Sequence, residues 1–130
     1  MKKLLTIIAL LFISHTASAI DADSCVKAFK LSGKTDEQFK NITPNEWNNK
    51  ILPKEWIDKG GHFLTRMKEA DRAGAAGLYT PSDLQSFVMG GTLIDQGNGR
   101  YFVQQIMVKK YNVVFDVTKH QCELVTFLIG

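Results

Sequence analysis

The chain has 130 residues and carries 16 Lys+Arg against 13 Asp+Glu. Two of the lysines lie in an N-terminal leader, so the remainder holds 14 basic against 13 acidic residues, a net charge near +1. That balance argues against nucleic acid or an anionic membrane as the main partner, and no stretch after the leader approaches the roughly 18 apolar residues needed to span a bilayer.

Lys2 and Lys3 form a short positive region, Leu4 to Ile13 an apolar core, and Ala17-Ser18-Ala19 a small-x-small cleavage site. This is the order of a secretory signal peptide. Cleavage after Ala19 leaves residues 20–130, a length that fits one domain. The short lysine-led signal is of bacterial type, which makes the periplasm the expected destination, with release outside the cell as the alternative. Only Cys25 and Cys122 are present. An even pair in an oxidising compartment predicts a disulfide between the first element of the mature chain and the last. Closing a loop of this length stabilises by about 4–5 kcal/mol in the chain-entropy model.

Residues 22–90 read as helices. Asp23 or Ser24 can cap a first helix running through Val26, Phe29 and Lys30, with Gly33 as its stop. Thr35 and Gln38 fit a capping box, with Phe39 and Ile42 facing inward. A small tandem duplication follows: Pro44-Asn45-Glu46-Trp47 recurs as Pro53-Lys54-Glu55-Trp56. Thr43 and Glu46 make a second capping box with Pro44 at the first helical position. Pro53 cannot lie inside a continuous helix, so two short helical turns are predicted. After Gly60-Gly61, a helix is expected from about His62 to Ala73, with Phe63, Met67 and Ala70 on its apolar face and a Lys68–Asp71 pair outside. Thr80-Pro81-Ser82-Asp83 starts another helix through Leu84, Phe87 and Val88. Residues 84–94 remain open between helix and strand, since Phe87 to Ile94 also fits a strand with a glycine bulge.

Residues 92–130 read as strands. Gly97-Asn98-Gly99 is a hairpin signal of type I′. Beyond it, alternating apolar residues run from Tyr101 to Val108, from Tyr111 to Val117 and from Cys122 to Leu128. Segregated helices and strands predict an α+β domain: an N-terminal helical half packed on a C-terminal antiparallel meander of three to four strands, closed by one disulfide. Both faces of these strands are fairly apolar, so helices should cover one face and part of the other is available to a partner.

No catalytic set emerges. His62 and His120 are the only histidines after the leader and could serve acid–base chemistry, but one opens a helix and the other sits in a strand turn. Glu46 and Glu55 resemble a carboxylate pair, yet their matching places in the duplication explain them as capping residues. The aspartates show no metal-ligand spacing, and no metal or other cofactor is expected. Asn41-Ile42-Thr43 matches a glycosylation acceptor but is followed by Pro44, and the signal is bacterial. Trp47, Trp56, Tyr79 and Tyr101 are the candidate partner-binding residues, because tryptophan and tyrosine are enriched in interface hot spots. For the two tryptophans the competing role is anchoring of short helical turns in the core.

Cys25, the Leu84-Gln85 segment before a hairpin, the Tyr101–Lys109 strand, and Tyr111 to Phe127 with Cys122 together resemble the periplasmic colicin M immunity protein family in their spacing. The resemblance covers about the last 45 residues and one further cysteine. Residues 34–77 are longer than that family leads one to expect, and the paired Pro-x-Glu-Trp units have no counterpart in it. The resemblance implies a disulfide-closed domain that binds and neutralises a toxin outside the cytoplasm. The expected function is therefore that of a non-enzymatic periplasmic binding protein, an immunity protein or inhibitor of a toxin or cell-wall-directed hydrolase. The alternatives are a small secreted enzyme using His62 and His120, and an accessory subunit of an envelope or secretion machine.

Overall fold

The computed structural model describes residues 20–130, so the leader and its cut after Ala19 lie outside the described residues. The first helix, α1 (Ala22–Lys27), is capped one step earlier than expected. Asp21, not Asp23 or Ser24, accepts the Ser24 N–H at 2.8 Å. The helix turns Cys25 inward and stops at Lys27, before Phe29.

The Thr35–Gln38 capping box does not form. Residues 30–42 instead run as an irregular segment with one 3₁₀ turn at Phe39–Asn41, and Gln38 makes no side-chain cap bond. Tertiary partners claim the backbone groups a helix would have used. The Thr35 carbonyl accepts the Ser82 N–H at 2.9 Å, and the Phe39 N–H donates to the Tyr79 carbonyl at 2.8 Å. Phe39 and Ile42 still point into the core, as their spacing suggested.

The two Pro-x-Glu-Trp copies adopt different conformations. The first is helical: α2 (Pro44–Glu46) runs on into a π turn at Trp47–Ile51. Its capping box is complete, with the Glu46 N–H on Thr43 Oγ1 and the Thr43 N–H on Glu46 Oε1, both at 3.1 Å. The second copy makes one tight turn and then a short strand, β1 (Trp56–Ile57). The reason lies in the preceding residue. Thr43 can cap the first copy, whereas buried Leu52 at the equivalent place has no side-chain acceptor. The uncapped segment pairs with a neighbouring strand instead.

Helix α3 (His62–Met67) is shorter than expected and gives way to tight turns that end in a 3₁₀ turn at Gly74–Ala76. The Arg72 guanidinium donates to the Phe127 carbonyl at 3.2 Å, which draws this stretch onto the sheet. The expected Lys68–Asp71 pair is replaced by Glu69, whose carboxylate takes both Arg66 and Arg72 at 2.7 Å. Helix α4 (Pro81–Gly90) begins at the Thr80–Asp83 capping box with Pro81 in its first turn. The open question over residues 84–94 resolves at Gly91. The helix ends at Gly90 and the strand starts at Thr92. At Gly91 a Cβ would lie 2.5 Å from Val103 Cγ1, so only glycine lets the chain turn this close to the sheet.

Four strands form an antiparallel meander: β2 (Thr92–Gly97), β3 (Arg100–Ile106), β4 (Lys110–Val117) and β5 (Cys122–Ile129). Asn98 and Gly99 both have positive φ, 55° and 81°, as a type I′ turn requires. The sheet is not purely antiparallel, because β1 adds parallel to β5. The order is β1-β5-β4-β3-β2, with Trp56 opposite Cys122.

One core joins the helices to one face of this sheet. It contains Phe29, Phe39, Trp47, Phe63, Leu84, Phe87, Val103, Val113, Phe115 and Phe127. The Cys25–Cys122 disulfide ties α1 to β5, with Cα atoms 5.9 Å apart. Trp56 packs beside it, edge-on to Phe29 and tilted on Phe115, each with ring centroids 5.0 Å away. Its indole N–H donates to the Cys25 carbonyl at 2.9 Å.

Candidate interaction surfaces

The period-two alternation of the strands sorts their residues onto two faces. Leu93, Val103, Val113 and Phe127 lie in register on the helix-covered side, and all four belong to the core or pack against it. The next row, Ile94–Phe102–Val114–Thr126, is also in register across all four strands and points the other way. None of these four joins the core. Ile94, Phe102 and Thr126 are half-buried, and Val114 is buried among its cross-strand neighbours.

Polar rows flank this apolar row on both sides. On one side Arg100 grips Asp116 with two bonds of 2.8 and 3.0 Å, and Glu123 beyond it is paired with Lys59. Asp116 in turn raises the pKa of Arg100 through that hydrogen-bonded pair. On the other side the Gln104 amide donates to Asn112 Oδ1 at 2.8 Å, and the Asn112 amide donates to the Leu128 carbonyl. An apolar centre inside a polar rim is the anatomy of a protein–protein interface.

The sequence-nominated aromatics do not gather on this face. Trp47 and Trp56 are buried, so their indoles present no surface to a partner; both are core anchors. Trp47 packs edge-on against Phe39 and donates its indole N–H to Asp58 Oδ2 at 3.0 Å. Tyr101 is half-buried and stacks on Phe115 from the core side. Tyr79 is 57% exposed. It borders a shallow cleft of about 230 Å³ lined also by Phe39, Met67, Glu69 and Gly74, and its hydroxyl donates to the Gly74 carbonyl.

The histidines sit on separate elements. His62 is exposed at the start of α3, and His120 is exposed in the turn between β4 and β5. Glu46 is engaged in its cap and in an ion pair with Lys34. The ammonium, with the Thr43 N–H, pushes its carboxyl down to about 2. A residue with that pKa is a fixed anion near neutral pH. Among the described residues, no group of three or more His, Cys, Asp and Glu is placed to hold a metal ion.

Asp58 is the buried carboxylate that sequence reading missed. It is 1% exposed and lies at the entry to α3. Its Oδ1 accepts the Phe63 N–H at 2.9 Å, and its Oδ2 accepts the Leu64 N–H at 2.8 Å besides the Trp47 indole. Its backbone exchanges two further bonds with the Asn48 side chain. Burial pushes its carboxyl up from the ordinary aspartate value, against the pull of those N–H donors. The duplication held a hint, since Asp58 occupies the place of Asn49 in the second copy. All its polar atoms are consumed by the fold, which makes its role structural.

Comparisons with protein-family models, with curated proteins and with solved structures gave no match. Among the described residues, no helix is long and apolar enough to cross a membrane.

Proposed function

We propose that this chain is an exported binding protein acting outside the cytoplasm, an immunity protein or inhibitor that neutralises a toxin or cell-wall-directed hydrolase by direct contact. The observation that carries the reading is the open sheet face. Its Ile94–Phe102–Val114–Thr126 row is apolar, in register and outside the core, and it lies between two hydrogen-bonded polar rows. Besides pairing across the strands, this row offers apolar area that a protein partner can bury. The leader expected at residues 1–19, the disulfide and the spacing resemblance to the colicin M immunity family support the compartment and the immunity role.

The test is affinity capture from envelope extracts, with the oxidised mature domain as bait and Phe102→Glu as control. Retention of a specific protein by the wild type, lost in Phe102→Glu at unchanged thermal stability, is the expected outcome. Retention of nothing, or equal retention by both baits, overturns the reading.

A further inference from the structure

The turn between β3 and β4 is apolar where the other two turns of the meander are polar or glycine-rich. Turn residues are ordinarily Gly, Asn, Asp, Ser or Pro. The β2–β3 turn uses Gly97-Asn98-Gly99, and the β4–β5 turn uses Thr118-Lys119-His120-Gln121. The β3–β4 turn instead presents Ile106, Met107 and Val108 in succession. Ile106 is 68% exposed, Met107 about half exposed and Val108 99% exposed. Lys109 and Lys110 follow immediately and are also exposed.

The tip projects from a regular two-stranded ladder. Seven consecutive pairs, from Arg100↔Asp116 to Ile106↔Lys110, brace β3 against β4, and the Met107 N–H closes onto the Lys109 carbonyl at 2.9 Å. The C-terminal end of α4 reaches the same end of the sheet. Gly90 and Ile106 line one surface groove. The tip therefore combines three exposed apolar side chains with two adjoining exposed lysines. The near-zero balance of the whole chain conceals this local excess.

We infer that the β3–β4 tip docks the protein onto an anionic lipid surface, with Met107 and Val108 entering the headgroup–acyl boundary and Lys109 and Lys110 meeting lipid phosphates. Two observations select a bilayer as the occupant. Val108 is 99% exposed at the end of the hairpin, and a fluid interface can close around it without shape complementarity. The lysines adjoining the tip match anionic headgroups, each contributing about a five-fold gain in partitioning at such a surface. This docking uses the end of the sheet, not its open face, and it stands independently of the protein-binding reading.

The experiment is co-sedimentation of the oxidised domain, residues 20–130, with two sets of vesicles. One set is pure phosphatidylcholine, and the other contains phosphatidylglycerol and phosphatidylcholine in equal parts. The domain should sediment with the phosphatidylglycerol vesicles, weaken with added salt, and stay in the supernatant with phosphatidylcholine alone. Val108→Ser and the pair Lys109→Ala with Lys110→Ala should each lower partitioning, the lysine pair by about 25-fold if the two contributions multiply. Both changes lie on exposed turn residues, so melting temperature should hold. Phe102→Glu on the open face should leave vesicle binding unchanged. Absence of wild-type binding to phosphatidylglycerol vesicles, equal binding to both vesicle types, or wild-type binding by the Val108 or lysine variants overturns the inference and leaves the tip to an acidic protein cleft.

Discussion

Replacing Asp58 tests how the two halves of the duplication are joined. Its carboxylate gathers three buried N–H donors: the Trp47 indole from the first copy, and the Phe63 and Leu64 amides at the start of α3. In Asp58→Ala all three donors lose their acceptor. An orphaned buried donor costs about 1–3 kcal/mol, and water entering the vacated space recovers part of that, so a loss of about 3–5 kcal/mol is expected. Asp58→Asn keeps the shape but turns an NH₂ group toward at least one donor, for about 1–3 kcal/mol. A domain of this size holds about 5–15 kcal/mol in total, so the alanine variant should lose a large fraction of it. Denaturant titration followed by tryptophan fluorescence measures both losses, because Trp47 reports directly on the site. The pH dependence has a defined sign. Burial raises the folded-state pKa of Asp58 above its ordinary value of 3.8, so the native state binds this proton more tightly than the unfolded chain. Its contribution is present in full below that ordinary value and is lost as pH rises through the folded value. The stability difference between wild type and Asp58→Asn should therefore shrink as pH rises through that window. An Asp58→Ala protein with wild-type stability would refute the role assigned to these three bonds.

Exported protein should begin near Ile20 and show no free thiol, and intact mass with and without reductant checks both; replacing Cys25 and Cys122 by alanine should cost about 4–5 kcal/mol by the loop-closure estimate. Lys34→Ala should let the Glu46 carboxyl climb from about 2 toward its ordinary 4.5, as read by carboxyl-carbon NMR titration. Because that folded pKa is depressed, the pair stabilises above 4.5 and its contribution is lost as pH falls through about 2; an unmoved titration curve in the variant would remove Lys34 as the cause. Gly61→Ala should destabilise by about 1–2 kcal/mol from left-handed strain alone, since Gly61 has φ 68°. Its new Cβ would also sit 3.1 Å from Pro44 Cβ, so a melting temperature at or above wild type would contradict both the strain and this close approach.

What the sequence by itself determined is what short-range chemistry controls. The Thr43–Glu46 and Thr80–Asp83 boxes form because cap and partner lie three residues apart, within reach whatever the rest of the chain does. The Asn98-Gly99 turn forms because these residues tolerate positive φ. The disulfide was legible because two cysteines admit one pairing. The tertiary structure decided the rest by offering competing partners. Thr35 had the residue type for a cap, but its carbonyl went to Ser82 and the local helix was given up. Trp47 and Trp56 sit in near-identical sequence, yet one ends in a π turn on Asp58 and the other in a parallel strand over the disulfide. Their burial, and with it their removal from the candidate surface, depends on contacts such as Trp47 with Asp58 and Trp56 with Cys25, Phe115 and Cys122, which no local pattern encodes. The exposure of Ile106, Met107 and Val108 is likewise invisible in a run of alternating apolar residues. Only the register of β3 against β4, with Ile106 opposite Lys110, places the reversal there and leaves those side chains outside.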